Sequence, residues 1–520
     1  MVLSVLDWGI IIAYLAVVLF IGVMVSRKAS ASGQELFLAG RSLGFIAVGM
    51  SLFASNISST TLIGVAGAAY QSGISVAHYE LMAALILIFM AVFTIPVFLR
   101  ARVTTIPEYL ERRFGPIACK YVSALTIFLS IFVDTAGSIY AGVLVLQTLA
   151  PGVPFVPACL GLAAFAGLYT AAGGLRAVVY TDVLQAIVLI AGAGVITYEV
   201  FANFDFSWST AMASIPADRL SLVRPLDDPN LPWLGVIVGL PVLGFYYWGA
   251  NQYIMQRVLG ARSLPHARGG AMLAAGLKIL PLFIMAIPGA LAFALLPQLQ
   301  NGDQVFPAMI VNFLPVGLVG VVIAGLLAAI MSTIDSTLNA SSTLVMYDFV
   351  KAEERGWAPE RIAFWGRVTT VALMLIAAFW PLVIRDFPGL FNYIQQVFSY
   401  AVPPIAAVFL LAIFWKRTSG AAALWTLGVG HALGAAALVW RLWAQEHGVD
   451  DGLPHFTILA GITTLFCLAL GFLVSLVTTA RPAGDLLWRR ADAGPASGID
   501  YRWAAVPLAA AVAALVWLFR

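Results

Sequence analysis

The stretch Phe53-Ala54-Ser55-Asn56-Ile57-Ser58-Ser59-Thr60-Thr61-Leu62, FASNISSTTL, decides the fold, because it sits inside an apolar run long enough to cross a membrane. Six hydroxyl or amide side chains stand there, interrupted only by Ile57. Such side chains compete with main-chain hydrogen bonds, so a dense run of them favours a break in the helix. Irregular backbone at membrane depth is tolerated only where it lines a cavity or is buried in protein. A break also frees carbonyl oxygens, hard ligands that suit a hard cation such as sodium.

The rest of the chain supplies the membrane context. Hydrophobic residues make up 61% and charged residues 10%, against about 25% charged in soluble proteins, so this is an all-α integral membrane protein. Spanning takes about 20 apolar residues, and fourteen stretches qualify: 5–26, 43–70, 76–99, 121–149, 154–172, 177–201, 233–256, 270–297, 313–346, 364–384, 389–415, 419–440, 454–478 and 503–519. The first carries Asp7 at its outset and has neither a basic start nor a small-residue cleavage site, so it reads as a retained span. Most of the 28 Lys and Arg fall in alternate loops, among them Arg27, Lys28, Arg112, Arg113, Lys351, Lys416, Arg417, Arg489 and Arg490. The positive-inside tendency then places both termini outside a cell membrane.

Net charge +3 is accordingly a topology signal and implies no nucleic-acid partner. Cys119, Cys159 and Cys467 have no metal or redox spacing and read as packing residues. The chain contains no GxxxxGK loop, HExxH or Gly-rich strand-to-helix turn, which removes support for a nucleotide-driven pump or a metalloenzyme. No enzyme chemistry is expected.

An ionisable side chain near the bilayer centre costs about 2.5 to 3.5 kcal/mol on insertion scales. Glu80, Asp134, Asp182, Lys278 and Asp335 all fall within spans. They form either a satisfied ionic cluster or part of a solute and ion pathway; the pathway also accounts for the broken backbone and aromatic residues of the same spans. Stretch 313–346 adds a polar stripe at helical spacing, Ala328 and Ala329, Ser332 and Thr333, Asp335 and Ser336, then Asn339. Close packing explains its small residues and leaves the aspartate unexplained. In stretch 233–256, Gly235, Gly239, Pro241 and Gly244 precede Phe245-Tyr246-Tyr247-Trp248-Gly249, which predicts a second loosened helix. Interrupted helices five spans apart suggest a five-plus-five inverted-repeat transporter. The expected divisions are an extra helix in 1–42, repeats 43–256 and 257–440, and extra helices in 441–520.

Residues 169–185, YTAAGGLRAVVYTDVLQ, resemble the signature of the sodium/solute symporter family. The resemblance extends through FLAGRSLGFIAVGMSLFASNIS at 37–58, TTIPEYLERRFG at 104–115, YYWGANQYIMQR at 246–257 and FLPVGLVGVVIAGLLAAIMSTIDSTLNASSTL at 313–344. Within the family the chain is most similar to the bacterial sodium/galactose branch. That implies a main sodium site made by the carbonyls of Ala54, Ile57 and Ala329 and the hydroxyls of Ser332 and Thr333. Asp182 falls on the family's inward ion route, and a second cation is expected near Asp182, Asp335 and Ser336.

The same resemblance implies a solute pocket of Asn56, Ser58, Tyr79, Glu80, Lys278, Phe391 and Gln395, with Tyr247 and the following Trp248 at its inner gate. Thr61, Gly244, Ala83 and Asp134 depart from an amide, an asparagine, a serine and an asparagine, respectively. These changes remove hydrogen-bonding groups and add a carboxylate. The expected function is sodium-coupled symport of a small polar solute by alternating access. A sugar or cyclitol is the first expectation; an amino acid, a carboxylate or a sensor role is the alternative.

Overall fold

Helices, most of them apolar, account for most of the computed structural model, which describes residues 3–26, 37–149, 152–385, 389–494 and 502–520. Arg27 and Lys28, and the side chains of 169–174 in the signature stretch, lie outside what is described. Among the described residues, nine helical segments are long and apolar enough to cross a membrane. Two further crossings are bent pairs: Phe45–Asn56 with Ser59–Ser72 at 56°, and Tyr393–Ala401 with Pro403–Phe414 at 47°. Three shorter apolar helices, Val5–Ile21, Phe155–Phe165 and Trp503–Leu518, fall on the remaining expected stretches.

Burial separates centre from periphery. The apolar window of Leu318–Phe349 is 83% buried, whereas those of Pro359–Ile384, Gly420–His447 and Phe456–Val477 are 33% buried. The central Leu318–Leu344 helix packs against Val5–Ser26, Phe45–Asn56 and Phe155–Ala202. Asp7 fixes its start: Oδ1 accepts the main-chain N–H of Gly317 at 2.9 Å and of Gly320 at 2.7 Å. The acid that opens the first span thus caps another helix and satisfies donors that a helix start leaves orphaned.

The second stretch breaks as its composition predicts. Helix Phe45–Asn56 ends, Ile57 turns at φ −77° and ψ 78°, and Ser59–Ser72 begins with Ser58 as its cap. Its second half lies so close to helix Ile287–Leu295 that a Cβ on Gly289 would stand 2.3 Å from the Ala66 carbonyl oxygen. The seventh stretch differs from expectation. It passes through Trp233–Val238 and Leu240–Phe245 into a π-helical turn at Tyr246–Ala250, and the chain becomes extended only at Asn251, with ψ 126°. Gly239 there serves contact: an added Cβ would sit 2.0 Å from the carbonyl oxygen of Thr457 in a neighbouring helix. The second large bend lies in the eleventh stretch, where hydroxyl-rich chemistry gives no warning of it.

Candidate functional site

At the break, the Ser58 N–H turns back to the Asn56 carbonyl at 2.8 Å, and the Ile57 N–H donates to Phe53 at 2.9 Å. With Ile57 near φ −75°, ψ +65°, this is an inverse γ-turn. It diverts the donor that helical geometry would give to Ala54, and among the described residues no main-chain N–H reaches the carbonyls of Ala54 or Ile57. Facing this half-helix is the central helix, with Ala328, Ala329, Ser332 and Thr333 all buried. Ser332 Oγ is buried and directed to Asp182, and Thr333 Oγ1 donates to the Ala329 carbonyl at 3.1 Å. Freed carbonyls on one helix and buried hydroxyls on the helix packed against it are donors of the kind a hard cation takes.

Beside it stands a second polar cluster. Asp182, fully buried, accepts from Ser51 Oγ at 2.5 Å, from Ser55 Oγ at 3.3 Å and from Arg257 Nη2 at 3.0 Å. Arg257 also donates to Ser51 Oγ at 2.6 Å, to the Tyr253 carbonyl and to Ser336 Oγ. A guanidinium therefore bridges two of the three residues expected around a second cation. Asp335 is wholly buried in the central helix and does not line the cavity.

The cavity lies on the other side of the break. Asn56, Ser58, Thr61, Tyr79, Glu80, Asp134, Tyr247, Trp248, Phe391 and Gln395 all line it, so ten of the residues expected to meet solute converge on one space. Lys278 stands one layer back. It is fully buried, donates to Glu80 Oε2, and lies 5.4 Å from the ring centroid of Trp248. Asp134 sits in a π-helical turn, Ser130–Thr135, a distortion that recurs at functional sites.

Aromatic residues close both ends. Tyr79 and Phe391 meet edge to face at 5.1 Å between centroids and line both the cavity and a wider vestibule. That vestibule, about 440 Å³, opens among Asp227, Asp303, Arg441 and His455, on the face with the Lys- and Arg-poor loops. At the opposite end the Tyr253 hydroxyl donates to the Tyr247 hydroxyl at 2.5 Å, with Trp248 edge-on to Tyr247 at 5.2 Å.

The model of the Sodium:solute symporter family matches residues 36–430. The chain belongs to the sodium:solute symporter family. As a sodium:solute symporter it is a multi-pass membrane transporter and not an enzyme, and sodium is its coupling ion. It is 35% identical to the human sodium/myo-inositol cotransporter 2, over 91% of this chain and 76% of that one. It is likewise 35% identical to the sodium/glucose cotransporter of Vibrio parahaemolyticus, over 81% and 83%. In fold it is similar to a substrate-bound, outward-open Na+-coupled sialic acid symporter, with a TM-score of 0.78 and 22% identity over 92% of this chain and 99% of that one.

Some residues of this symporter's site escaped the sequence reading. Arg257 follows the seventh apolar stretch and counts there as a loop cation, yet it is fully buried; Arg113, a loop cation by the same count, is also buried. Tyr246, Tyr253 and Phe398 line the cavity. The aromatic density of YYWGANQY was the available signal for the tyrosines.

Proposed function

We propose that this symporter imports a small polyol, a sugar or cyclitol, together with one sodium ion, by alternating access across the cell membrane with both termini outside. The observation that carries the reading is the break at Ile57. It leaves the Ala54 and Ile57 carbonyls without main-chain donors beside the central helix that contains Ser332, and it places Asn56 and Ser58 on the solute cavity. Ion and solute thus share one distortion. Sodium held by Ala54, Ile57, Ala329, Ser332 and Thr333 fastens the broken helix to the central one and completes the cavity wall.

The cavity chemistry suits a hydroxylated ring. Glu80, the side chain of Asn56 and that of Gln395 provide acceptors, amides and hydroxyls provide donors, and Phe391 and Tyr247 cover apolar ring faces. Tyr79 with Phe391 forms the outer gate, and Tyr247, Trp248 and Tyr253 form the inner one. The names of the two cotransporter relatives support a sugar or cyclitol over an amino acid or carboxylate. Residues 43–256 and 257–440 serve as the two repeats, flanked by 1–42 and 441–520.

One ion is sufficient. An elementary charge falling through 100 mV releases about 2.3 kcal/mol, against about 1.4 kcal/mol for tenfold accumulation. Arg257 occupies the space between Asp182 and Ser336, which supports a single coupling cation. Uptake by proteoliposomes under imposed sodium gradients, screened over sugars, cyclitols, sugar acids and amino acids, tests the reading. Sodium-independent flux, or sodium-driven uptake confined to amino acids or sugar acids, would overturn it.

A further inference from the structure

Resting on the solute-pocket reading above, we propose that the favoured solute is a polyol bearing an ammonium group, an amino sugar or aminocyclitol, and that Asp134 is the carboxylate that binds that group. The argument begins with charge. Two carboxyl side chains line the cavity, Glu80 and Asp134, and among its described lining residues there is no Lys, Arg or His. Glu80 is neutralised from behind by Lys278. Asp134 has no such counter-ion: it is 9% exposed, and its Oδ2 is buried without a hydrogen-bond partner. Lys278, the one buried lysine among the described residues, is committed to Glu80 and to the ring of Trp248.

The walls around Asp134 suit a cation. Tyr246, Tyr247, Trp248, Tyr253 and Phe398 line the same space, and aromatic faces attract ammonium groups, most strongly when water is excluded. A carboxylate within an aromatic cage is the arrangement that recognises an organic ammonium. The Tyr253 hydroxyl, the side chain nearest to serving Asp134, donates to Tyr247 at 2.5 Å, and a hydroxyl in any case leaves a carboxylate without a counter-charge. With a neutral polyol the buried acid is driven to its protonated, uncharged form, whereas an ammonium lets it ionise and form a desolvated ion pair.

The test uses the full-length protein in proteoliposomes under an inward sodium gradient with paired probes of equal shape: glucosamine against glucose, and an inosamine against the matching inositol. N-acetylglucosamine, which keeps the nitrogen and loses the charge, is the third arm. The wild type should prefer the free amine about tenfold or more, the size of one charge-assisted hydrogen bond. Asp134→Asn should abolish that preference, and Asp134→Glu should retain much of it. Equal or better uptake of the neutral partner by the wild type overturns the proposal, and this measurement needs no variant to fold. A preference that survives Asp134→Asn also overturns it, as does a variant whose sodium half-saturation rises while solute selectivity stays unchanged. Neutral polyols carried with sodium while amines are refused sink this inference and leave polyol symport standing; no sodium-driven uptake of either sinks the polyol reading itself.

Discussion

Arg257 Nη2 donates to Asp182 Oδ2 at 3.0 Å where neither side chain is exposed, and it joins the helix after the seventh crossing to the long helix that contains Asp182. Removing one member of a buried pair leaves an uncompensated charge, at a cost of about 3 to 5 kcal/mol, whereas replacing both with apolar groups is often nearly neutral. Asp182→Ala and Arg257→Met should therefore each lower the thermal unfolding temperature in detergent far more than the double variant does. Equal destabilisation by all three would show that the pair is not acting as a unit.

The same guanidinium bears on stoichiometry. With Asp182 and Ser336 already engaged by Arg257, the wild type should carry one sodium per solute in reversal-potential measurements. Asp335→Ala should do the same. A ratio of two in the wild type would mean that a second cation binds despite the arginine.

What could be read from sequence follows the range of the forces involved. The break at Ile57 was legible because side-chain competition for main-chain donors acts within a few residues of FASNISSTTL. The convergence of Glu80, Lys278 and the Phe391–Gln395 pair was legible only through family resemblance, since they belong to three segments far apart in the chain. Arg257 was missed because a count of loop cations cannot tell a solvated arginine from one buried by a carboxylate 75 positions away. The Tyr247–Tyr253 hydroxyl pair was missed for a related reason. It is made across an extended residue, Asn251, and follows no helical period. The glycines of the seventh stretch were read as loosening, and in the structure Gly239 is the point of contact with Thr457.

Ser332→Ala removes a buried hydroxyl of the helix packed against the break, one that also serves the Asp182 carboxylate. Loss of one ligand worth about 1 to 2 kcal/mol corresponds to a roughly five- to thirtyfold rise in the sodium concentration for half-maximal uptake. Solute selectivity should be unchanged. Titrating sodium at fixed solute checks this; a shift in solute preference without a sodium effect would move Ser332 out of the ion site.

The vestibule carries a pH-sensitive cap. His455 Nδ1 accepts the main-chain N–H of Thr457 at 3.4 Å at the start of helix Phe456–Val477. Burial, helped by the charge of Arg441 and opposed by Asp228, lowers its pKa from 6.5 to about 4. Because the folded state prefers the neutral ring, this contribution to stability is complete above pH 6.5 and falls away between 6.5 and about 4. His455→Asn keeps a capping side chain and removes the titration. The drop in unfolding temperature from pH 7 to pH 5 should therefore be smaller in the variant, and an identical drop would exclude this histidine as its source.

Glu80 and Lys278 should separate solute binding from sodium binding. Lys278 is buried completely and Glu80 nearly so, so truncating either strands the other's charge, with a cost of about 3 to 5 kcal/mol. Glu80 also lines the cavity, whereas Lys278 reaches it only through Glu80. Glu80→Gln keeps the shape and one acceptor. It should weaken solute uptake while leaving sodium half-saturation within about twofold, a difference of roughly 0.4 kcal/mol. Lys278→Met should reduce solute affinity too, by releasing Glu80 from its position, and combining it with Glu80→Gln should cost less than the sum of the singles, as expected for residues in contact. Solute and sodium titrations on the four proteins decide the matter: if both single variants raise the sodium requirement as much as Ser332→Ala does, the pair belongs to the ion site and the division at Ile57 is misplaced.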